Sequence, residues 1–218
     1  MSRDKPASVD PTEAEKVAEA ARQLQLTHVV VTSVTRDDLT NGGAEQFANV
    51  IHTLRHRLPE ASIEVLTPDF QGKQEAWDIV LRAMPDVFNH NIETVPSLYT
   101  EVRPEADYQR SLALLRYAAQ RGKLHVKSGL MLGLGEDMEE VKQVARDLRE
   151  AGVTMITVGQ YLCPRNGEQL PVKRFIPPEE FELLKDYLAQ LGFSSVACHP
   201  FARSSYQATI TAKEIHHV

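Results

Sequence analysis

Residues 125–162, "HVKSGLMLGLGEDMEEVKQVARDLREAGVTMITVGQYL", contain one complete strand–helix–strand unit. Residues 125–132 predict a strand, residues 137–152 a helix and residues 154–162 a second strand. Two successive strands joined by a helix lie parallel in one sheet, because the crossover returns the chain to its starting edge. This stretch therefore predicts a parallel α/β fold.

The same alternation extends along the chain in both directions. A helix over residues 9–24 is indicated by Asp10 as cap, Pro11 at the first helical position and Glu13 at the capping-box offset. The further predicted strands cover residues 27–33, 62–68, 86–92 and 193–199, and the further helices cover residues 44–58, 73–84, 107–121 and 177–192.

Polar residues follow nearly every predicted strand, as in "TSVTRDD" (32–38), "NHNIE" (89–93) and "HPFARSS" (199–205). Ligand sites in parallel α/β folds lie where strands end, and contributions from all strands favour a ring over an open sheet. We therefore expect a partial (β/α) TIM-like barrel over residues 1–218, forming one domain with a tail at about 197–218. The chain begins with a helix and is shorter than the roughly 250 residues of a full barrel, so its first strand is expected to be missing.

Composition restricts the classes of function. The net charge of −6 argues against a nucleic-acid binder. No run of eighteen apolar residues and no N-terminal apolar segment is present, so we expect no membrane span and a cytoplasmic location. Two cysteines, Cys163 and Cys198, cannot form a disulfide framework.

Two features carry possible chemistry. Asn91 and Glu93 share one face of a strand and could hold the hydroxyls or the amine of a small molecule, or could close a polar network at the rim. Lys127 lies in a mostly apolar strand, and an inward amine could form a Schiff base as in class I aldolases. The glycines at 129, 133 and 135 fit neither a dinucleotide fingerprint nor a phosphate loop, and we interpret them as a close turn.

Several long motifs, in order from about Lys5 to about Ala212, resemble lipoyl synthases, a family of radical S-adenosylmethionine enzymes. They include "VVVTSVTRDDLTNGGAEQF" (29–47), "PDVFNHNIETVPSLYTEVRPEADYQRSL" (85–112), "KSGLMLGLGE" (127–136), "GQYLCP" (159–164) and "RSSYQA" (203–208). The resemblance implies a partial barrel of the radical SAM type, two 4Fe–4S clusters and S-adenosylmethionine. It also implies a reaction that inserts two sulfur atoms into an octanoyl chain. The implied partner is an octanoylated lipoyl carrier domain or glycine cleavage H protein, with no nucleic acid and no membrane.

The resemblance also assigns site residues, although it assigns no catalytic residue. Ser205 resembles the fourth ligand of the auxiliary cluster. Its oxygen is a hard donor and would bind iron more weakly than the thiolates at the other positions. Arg203 would neutralise negative charge, and Ser204 is interpreted as a turn hydroxyl. The positions that resemble the lining of the S-adenosylmethionine pocket are Ser33, Asn89, Asn91, Glu93, Lys127 and Arg149.

The cysteine count departs from the family pattern. The family carries six cluster cysteines before the matching region, three of them in a CxxxCxxC motif, and these 218 residues contain none of them. We therefore expect that the clusters do not bind this chain as written, that the cluster loop is missing with the first strand, and that the chain alone is inactive. Two other functions remain open: a non-catalytic paralogue that binds S-adenosylmethionine or a lipoyl carrier domain, and the aldolase-like barrel.

Overall fold

A computed structural model describes residues 7–122, 124–163 and 170–205. Its strands are β1 (His28–Thr32), β2 (Ser62–Leu66), β3 (Val87–Asn89), β4 (His125–Leu132), β5 (Met155–Gln160) and β6 (Ser195–Cys198). Its α-helices are α1 (Glu13–Gln23), α2 (Ala44–Arg57), α3 (Gln74–Arg82), α4 (Tyr99–Val102), α5 (Tyr108–Ala119), α6 (Met138–Glu150) and α7 (Pro178–Gln190). Strand β1 pairs in parallel with β2, and β5 pairs in parallel with both β4 and β6, which confirms the predicted α/β class.

The chain divides into two compact units, Met1–Phe88 and Asn89–Val218, and its organisation as one domain stays a prediction. In the first unit β1 pairs in parallel with β2, from His28 opposite Ser62 to Thr32 opposite Leu66. Helix α1 contacts α2, and both helices bury small or branched apolar side chains. These include Ala18, Ala21, Ile51 and Leu54.

Helix α1 begins later than the sequence predicts. Its cap is Thr12 and its first residue is Glu13, so Pro11 precedes the helix. The reason is a local turn at Asp10, whose carboxylate accepts hydrogen bonds from the backbone N–H of Thr12 at 2.8 Å and from Lys16 Nζ at 2.7 Å. Such an Asx-type hydrogen bond satisfies the backbone N–H of Thr12 before the helix starts.

The second unit aligns the carboxyl ends of β4 and β5 and places β6 beside them. Leu132 lies opposite Gln160, and Val158 lies opposite Cys198. All six residues of β5 are buried, as expected for a central parallel strand covered on both faces. Among the described residues no helix is long and apolar enough to cross a membrane.

Strand β3 is shorter than the predicted strand over residues 86–92. The chain continues alongside β4 after Asn89, where His90 N donates to Lys127 O at 3.1 Å. It then meets β4 again at one isolated bridge between Glu93 and Leu130. Glu93 adopts a left-handed conformation (φ 69°), which interrupts regular pairing at the polar residues.

Candidate binding site in the second unit

Two glycines on neighbouring strands form the floor of the site. A Cβ atom added to Gly159 on β5 would lie 2.2 Å from the carbonyl oxygen of Ala202. One added to Gly129 on β4 would lie 3.0 Å from Asn91 Oδ1 and 3.1 Å from Ser204 Oγ. Because neither glycine has a positive φ, space rather than backbone conformation demands glycine here. The segment of residues 202–204 therefore rests directly on the sheet.

Two residues hold Ser204: Asn91, which precedes β4, and Lys127, which lies in β4. The Ser204 hydroxyl donates to Asn91 Oδ1 at 3.0 Å, and its carbonyl oxygen accepts from Lys127 Nζ at 2.7 Å. Lys127 is buried, and its amine faces Ser204. The interpretation of the Ser204 hydroxyl as a turn hydroxyl is wrong, because the bond reaches a residue 113 positions away. Ser205, next in sequence, is exposed.

Asn91 and Glu93 do come together, although both lie after β3 and Glu93 has a positive φ, so the alternation of a regular strand is not the cause. The Asn91 side chain hydrogen-bonds to the Glu93 carboxylate, and Arg103 adds a nearby positive charge. Arg103 also donates from Nη1 to the carbonyl oxygen of Asn91 at 3.0 Å. Burial nevertheless raises the pKa of Glu93, because desolvation of the carboxylate outweighs these two favourable contacts.

The backbone of Glu93 is fixed on both sides. Its N–H donates to Gly129 O at 2.9 Å, and its carbonyl accepts from Met131 N at 2.9 Å. A left-handed non-glycine residue is strained, and such strain persists where surrounding bonds over-determine it. The two bonds to β4 therefore set the direction in which the carboxylate emerges.

We expect Glu93→Gln to stabilise the protein increasingly as the pH rises above the ordinary pKa of Glu93, 4.5. A carboxyl whose pKa is raised on folding contributes stability at low pH, which is lost as the pH rises through the folded-state pKa. Glutamine stays neutral and avoids that loss. The measurement is the free energy of unfolding by urea at several values between pH 4 and 8, with Glu75→Gln as a control on an exposed carboxylate. A constant difference between Glu93→Gln and wild type across that range would contradict the raised pKa.

The remaining predicted site residues lie in different places. Asn89 ends β3 and is completely buried. Ser33 belongs to the first unit, is exposed, and donates its hydroxyl to Val34 O at 3.0 Å. Arg149 lies in the last turn of α6 and donates to the carbonyl oxygens of Val153 and Leu191. Since Val153 precedes β5, Arg149 lies near the amino end of that strand, and its place in the site stays a prediction.

Gly133 and Gly135 lie in the close turn that the sequence predicts, whereas Gly129 lies inside β4, so placing it in that turn was wrong. The Glu136 carboxylate accepts from Gly133 N at 2.6 Å and from Leu134 N at 2.8 Å. The buried Gln160 side chain adds a second support. It donates to Arg174 O at 3.0 Å and accepts from Ile176 N at 2.9 Å, which fixes the chain after β5 beside this turn.

Arg103, Gly159 and Ala202 contact the site but were not predicted as site residues. Gly159 could have been predicted, because a glycine inside an apolar strand often marks the close approach of another backbone. Arg103 and Ala202 could not, since their contacts depend on the path of connecting segments. The motif "RSSYQA" continues past Ser205, and its residues 206–208 lie outside the described part of the chain.

A cavity of about 170 Å³ remains at this site. It is lined by Asn91, Glu93, Thr157 and Gly159 and by residues 129–131 and 202–205. Pockets that bury a drug-sized ligand usually measure about 300–1,000 Å³. A ligand of that size can therefore reach Asn91 only when the segment of residues 203–205 moves.

The two cysteines do not suit an iron–sulfur cluster. Cys198 is buried, donates from Sγ to Phe181 O at 3.3 Å, and has a pKa that burial raises to about 12. A cluster needs several thiolates, and a thiol of high pKa stays protonated. Cys163 is half-buried. Within residues 7–122, 124–163 and 170–205, no group of three or more His, Cys, Asp or Glu side chains could hold a metal ion.

Comparison with known proteins defines the class. Residues 1–159 match the Radical SAM superfamily, and the chain belongs to it. The fold agrees, since the S-adenosylmethionine-bound structure of Streptococcus suis SuiB superposes with a TM-score of 0.69 at 13% identity, over 89% of this chain and 45% of that one. The predicted radical SAM fold is thus confirmed.

Within that superfamily the chain belongs to the lipoyl synthase family. It is 50% identical over 215 residues to the lipoyl synthase of Aeromonas salmonicida, covering 98% of this chain and 66% of the relative. It is 49% identical over 216 residues to that of Caldicellulosiruptor saccharolyticus, covering 99% of this chain and 75% of the relative. The chain therefore spans about two thirds to three quarters of the length of these relatives.

Proposed function

We propose that this chain forms the S-adenosylmethionine-binding part of a lipoyl synthase, an enzyme that inserts two sulfur atoms into an octanoyl chain. The substrate would be carried on a lysine of a lipoyl carrier domain or glycine cleavage H protein in the cytoplasm. The observation that carries the proposal is sequence identity near 50% to lipoyl synthases over almost the whole chain. Asn91 and Glu93, which line one cavity with Gly129 and Gly159 of neighbouring strands, support it, and Lys127 contacts the same cavity wall through Ser204 O.

The donor groups of this cluster suit an amino-acid sulfonium ligand. The Glu93 carboxylate can accept from an ammonium group, and Asn91 can bond to hydroxyls or amines. Lys127 can pair with a carboxylate. Gly129 and Gly159 would expose backbone to a flat ring once the segment of residues 202–204, which now covers them, moves away. When bound, S-adenosylmethionine would supply the radical chemistry, while these residues orient it and exclude water.

The clusters themselves do not fit the cysteines present here. We propose that cysteines outside these 218 residues hold both clusters, with Ser205 as the fourth ligand of the auxiliary one. Ser205 is exposed and one residue from the anchored Ser204, which leaves its hydroxyl accessible. The 218-residue chain alone would then be inactive. The absence of those cysteines also keeps a second candidate, a paralogue that binds S-adenosylmethionine or a carrier domain without catalysis.

Iron binding tests the proposal that cysteines outside these 218 residues hold the clusters. We compare the chain alone with a joined protein, in which the N-terminal segment of the Aeromonas salmonicida relative, including its cluster cysteines, precedes Lys5. After anaerobic reconstitution and desalting, we expect the joined protein to retain about eight irons, as for two four-iron clusters, and the chain alone to retain almost none. About four irons on the chain alone would contradict the proposal.

The aldolase-like alternative stays a prediction with its own test. A Schiff base at Lys127 would be trapped irreversibly by borohydride in the presence of small aldehydes or ketones. We expect no such adduct, because the Lys127 amine is engaged with the carbonyl oxygen of Ser204. Mass spectrometry that locates a reduced adduct on Lys127 would favour the aldolase.

A further inference from the structure

We propose that three exposed apolar residues, Leu162, Phe175 and Phe201, form a surface that binds the alkyl part of an acyl chain beside the candidate site. We call this surface the apolar rim. The assignment rests on the proposed function, because that function supplies an octanoyl chain that some part of the protein has to bind. It adds the residues that bind the chain and the expectation that they select the chain by its length.

Each residue of the apolar rim exposes much of an apolar side chain: 47% for Leu162, 70% for Phe175 and 71% for Phe201. Apolar residues that are exposed singly are normal on a protein surface, whereas several at one edge indicate an interaction site. Leu183 is also 71% exposed but lies within helix α7, outside the segments that follow the strands. It therefore offers a comparison away from this edge.

The turn that carries Phe201 is fixed to the end of β5. The backbone N–H of Ala202 donates to His199 O at 2.9 Å, which closes a β-turn with Pro200 and Phe201 at its centre. Gln160, the last residue of β5, donates from its backbone N–H to Pro200 O at 3.0 Å. A closed turn therefore presents Phe201 next to Gln160.

The same glutamine fixes the segment that carries Phe175. The Gln160 side chain donates to the carbonyl oxygen of Arg174 and accepts from the N–H of Ile176, the two neighbours of Phe175. Leu162 follows Gln160 by two residues. The backbone of all three rim residues therefore lies near Gln160, at the carboxyl end of β5.

The apolar rim adjoins the candidate cavity. Phe201 lies directly before residues 202–205 and Gln160 directly after Gly159, and those residues and Gly159 line the cavity. The cavity walls include the carboxylate of Glu93. Contact with an alkyl chain would remove water from such polar groups without replacing its hydrogen bonds. A saturated chain therefore suits the rim, while the polar ligand suits the cavity.

Binding of acylated lysine tests the proposal on the 218-residue chain, without iron or S-adenosylmethionine. The affinities of Nε-acetyl-, Nε-butanoyl- and Nε-octanoyl-lysine amide are measured by NMR titration. Full burial of a methylene group gives about fourfold tighter binding, so we expect about twofold per added methylene on this half-open surface. No binding of octanoyl-lysine, or octanoyl-lysine bound no more tightly than acetyl-lysine, would overturn the proposal.

Phe175→Ser and Phe201→Ser locate the surface, with Leu183→Ser as the matched control. All three variants replace an exposed side chain, so the fold should tolerate them. We expect each rim variant to weaken octanoyl-lysine binding by about fivefold, as for partial burial of one aromatic ring, and Leu183→Ser to leave it unchanged. Equal weakening of acetyl-lysine, or equal loss in Leu183→Ser, would overturn the alkyl assignment. Sedimentation that shows a wild-type dimer and monomeric rim variants would overturn it too, because a second copy would then cover the rim.

The joined protein separates this proposal from the proposed function. We expect both rim variants to raise its KM for an octanoyl-lysine peptide by about fivefold, in line with the binding result. Lipoyl product made by both variants with an unchanged KM would contradict the rim and leave the proposed function intact. Octanoyl-lysine bound at the rim, with no lipoyl product from the joined protein, would contradict the proposed function and leave the rim in place.

Discussion

Replacing Gly159 with alanine should displace the segment of residues 202–204 from the sheet. The added Cβ would lie 2.2 Å from Ala202 O and 2.8 Å from Arg203 Nη1. The carbonyl belongs to the backbone and cannot rotate away, so either β5 or the segment must move. Overpacking of this kind costs about 1–3 kcal/mol. We expect the free energy of unfolding to fall by that amount, with faster amide exchange at residues 199–205.

Gly129→Ala is the graded control for this prediction. Its nearest contacts would be 3.0–3.1 Å, and two of the three belong to the side chains of Asn91 and Ser204, which can shift. We therefore expect a smaller loss of stability than for Gly159→Ala. Urea unfolding and hydrogen exchange measure both variants. Wild-type stability and unchanged exchange in Gly159→Ala would show that the segment does not rest on β5.

Substitution of Ser205 should have the largest effect on catalysis. In the joined protein, Ser205→Ala removes the proposed fourth ligand and leaves one iron of the auxiliary cluster open, so we expect incomplete assembly. Even the outer partners of metal ligands are worth about 10–100-fold in affinity or activity. Lipoyl product should therefore fall by at least about 10-fold, while cleavage of S-adenosylmethionine continues at the other cluster.

Ser205→Cys tests whether the side chain of residue 205 binds the auxiliary cluster. Cysteine is the softer and better-matched donor for iron, so the cluster should assemble normally and then resist dismantling. We expect iron content like that of wild type but reduced sulfur insertion, with 5′-deoxyadenosine still produced. Full lipoyl output from Ser205→Ala would rule out Ser205 as a ligand.

Much of the fold was predictable because strand–helix alternation is a local pattern. All six strands were predicted from short apolar runs, and their parallel pairing followed from the helices between them. The boundaries were less accurate where side chains competed with the backbone. Asp10 delays α1 by bonding to Thr12, and Glu93 ends regular pairing after β3 by adopting a positive φ.

The candidate site was predictable only in part. Asn91 and Glu93 were singled out because polar residues after a buried strand are informative, and Lys127 because a lysine is unusual in an apolar strand; the structure brings all three to the segment that contains Ser204 or to its cavity. Ser204 was misinterpreted, since its partner Asn91 is 113 residues away and no local pattern reports such a bond. Arg149 stays a prediction, because a helical arginine looks the same in sequence whether it binds a ligand or only donates to backbone carbonyls, as it does to Val153 and Leu191.

The measurement that tests the central claim most directly is conversion of an octanoyl-lysine peptide by the joined protein. The reconstituted protein is incubated anaerobically with S-adenosylmethionine, a reductant and the peptide, and the products are identified by mass spectrometry. We expect lipoyl peptide together with 5′-deoxyadenosine, and neither product from the 218-residue chain alone. A joined protein that holds both clusters and cleaves S-adenosylmethionine, yet adds no sulfur to the peptide, would contradict the account.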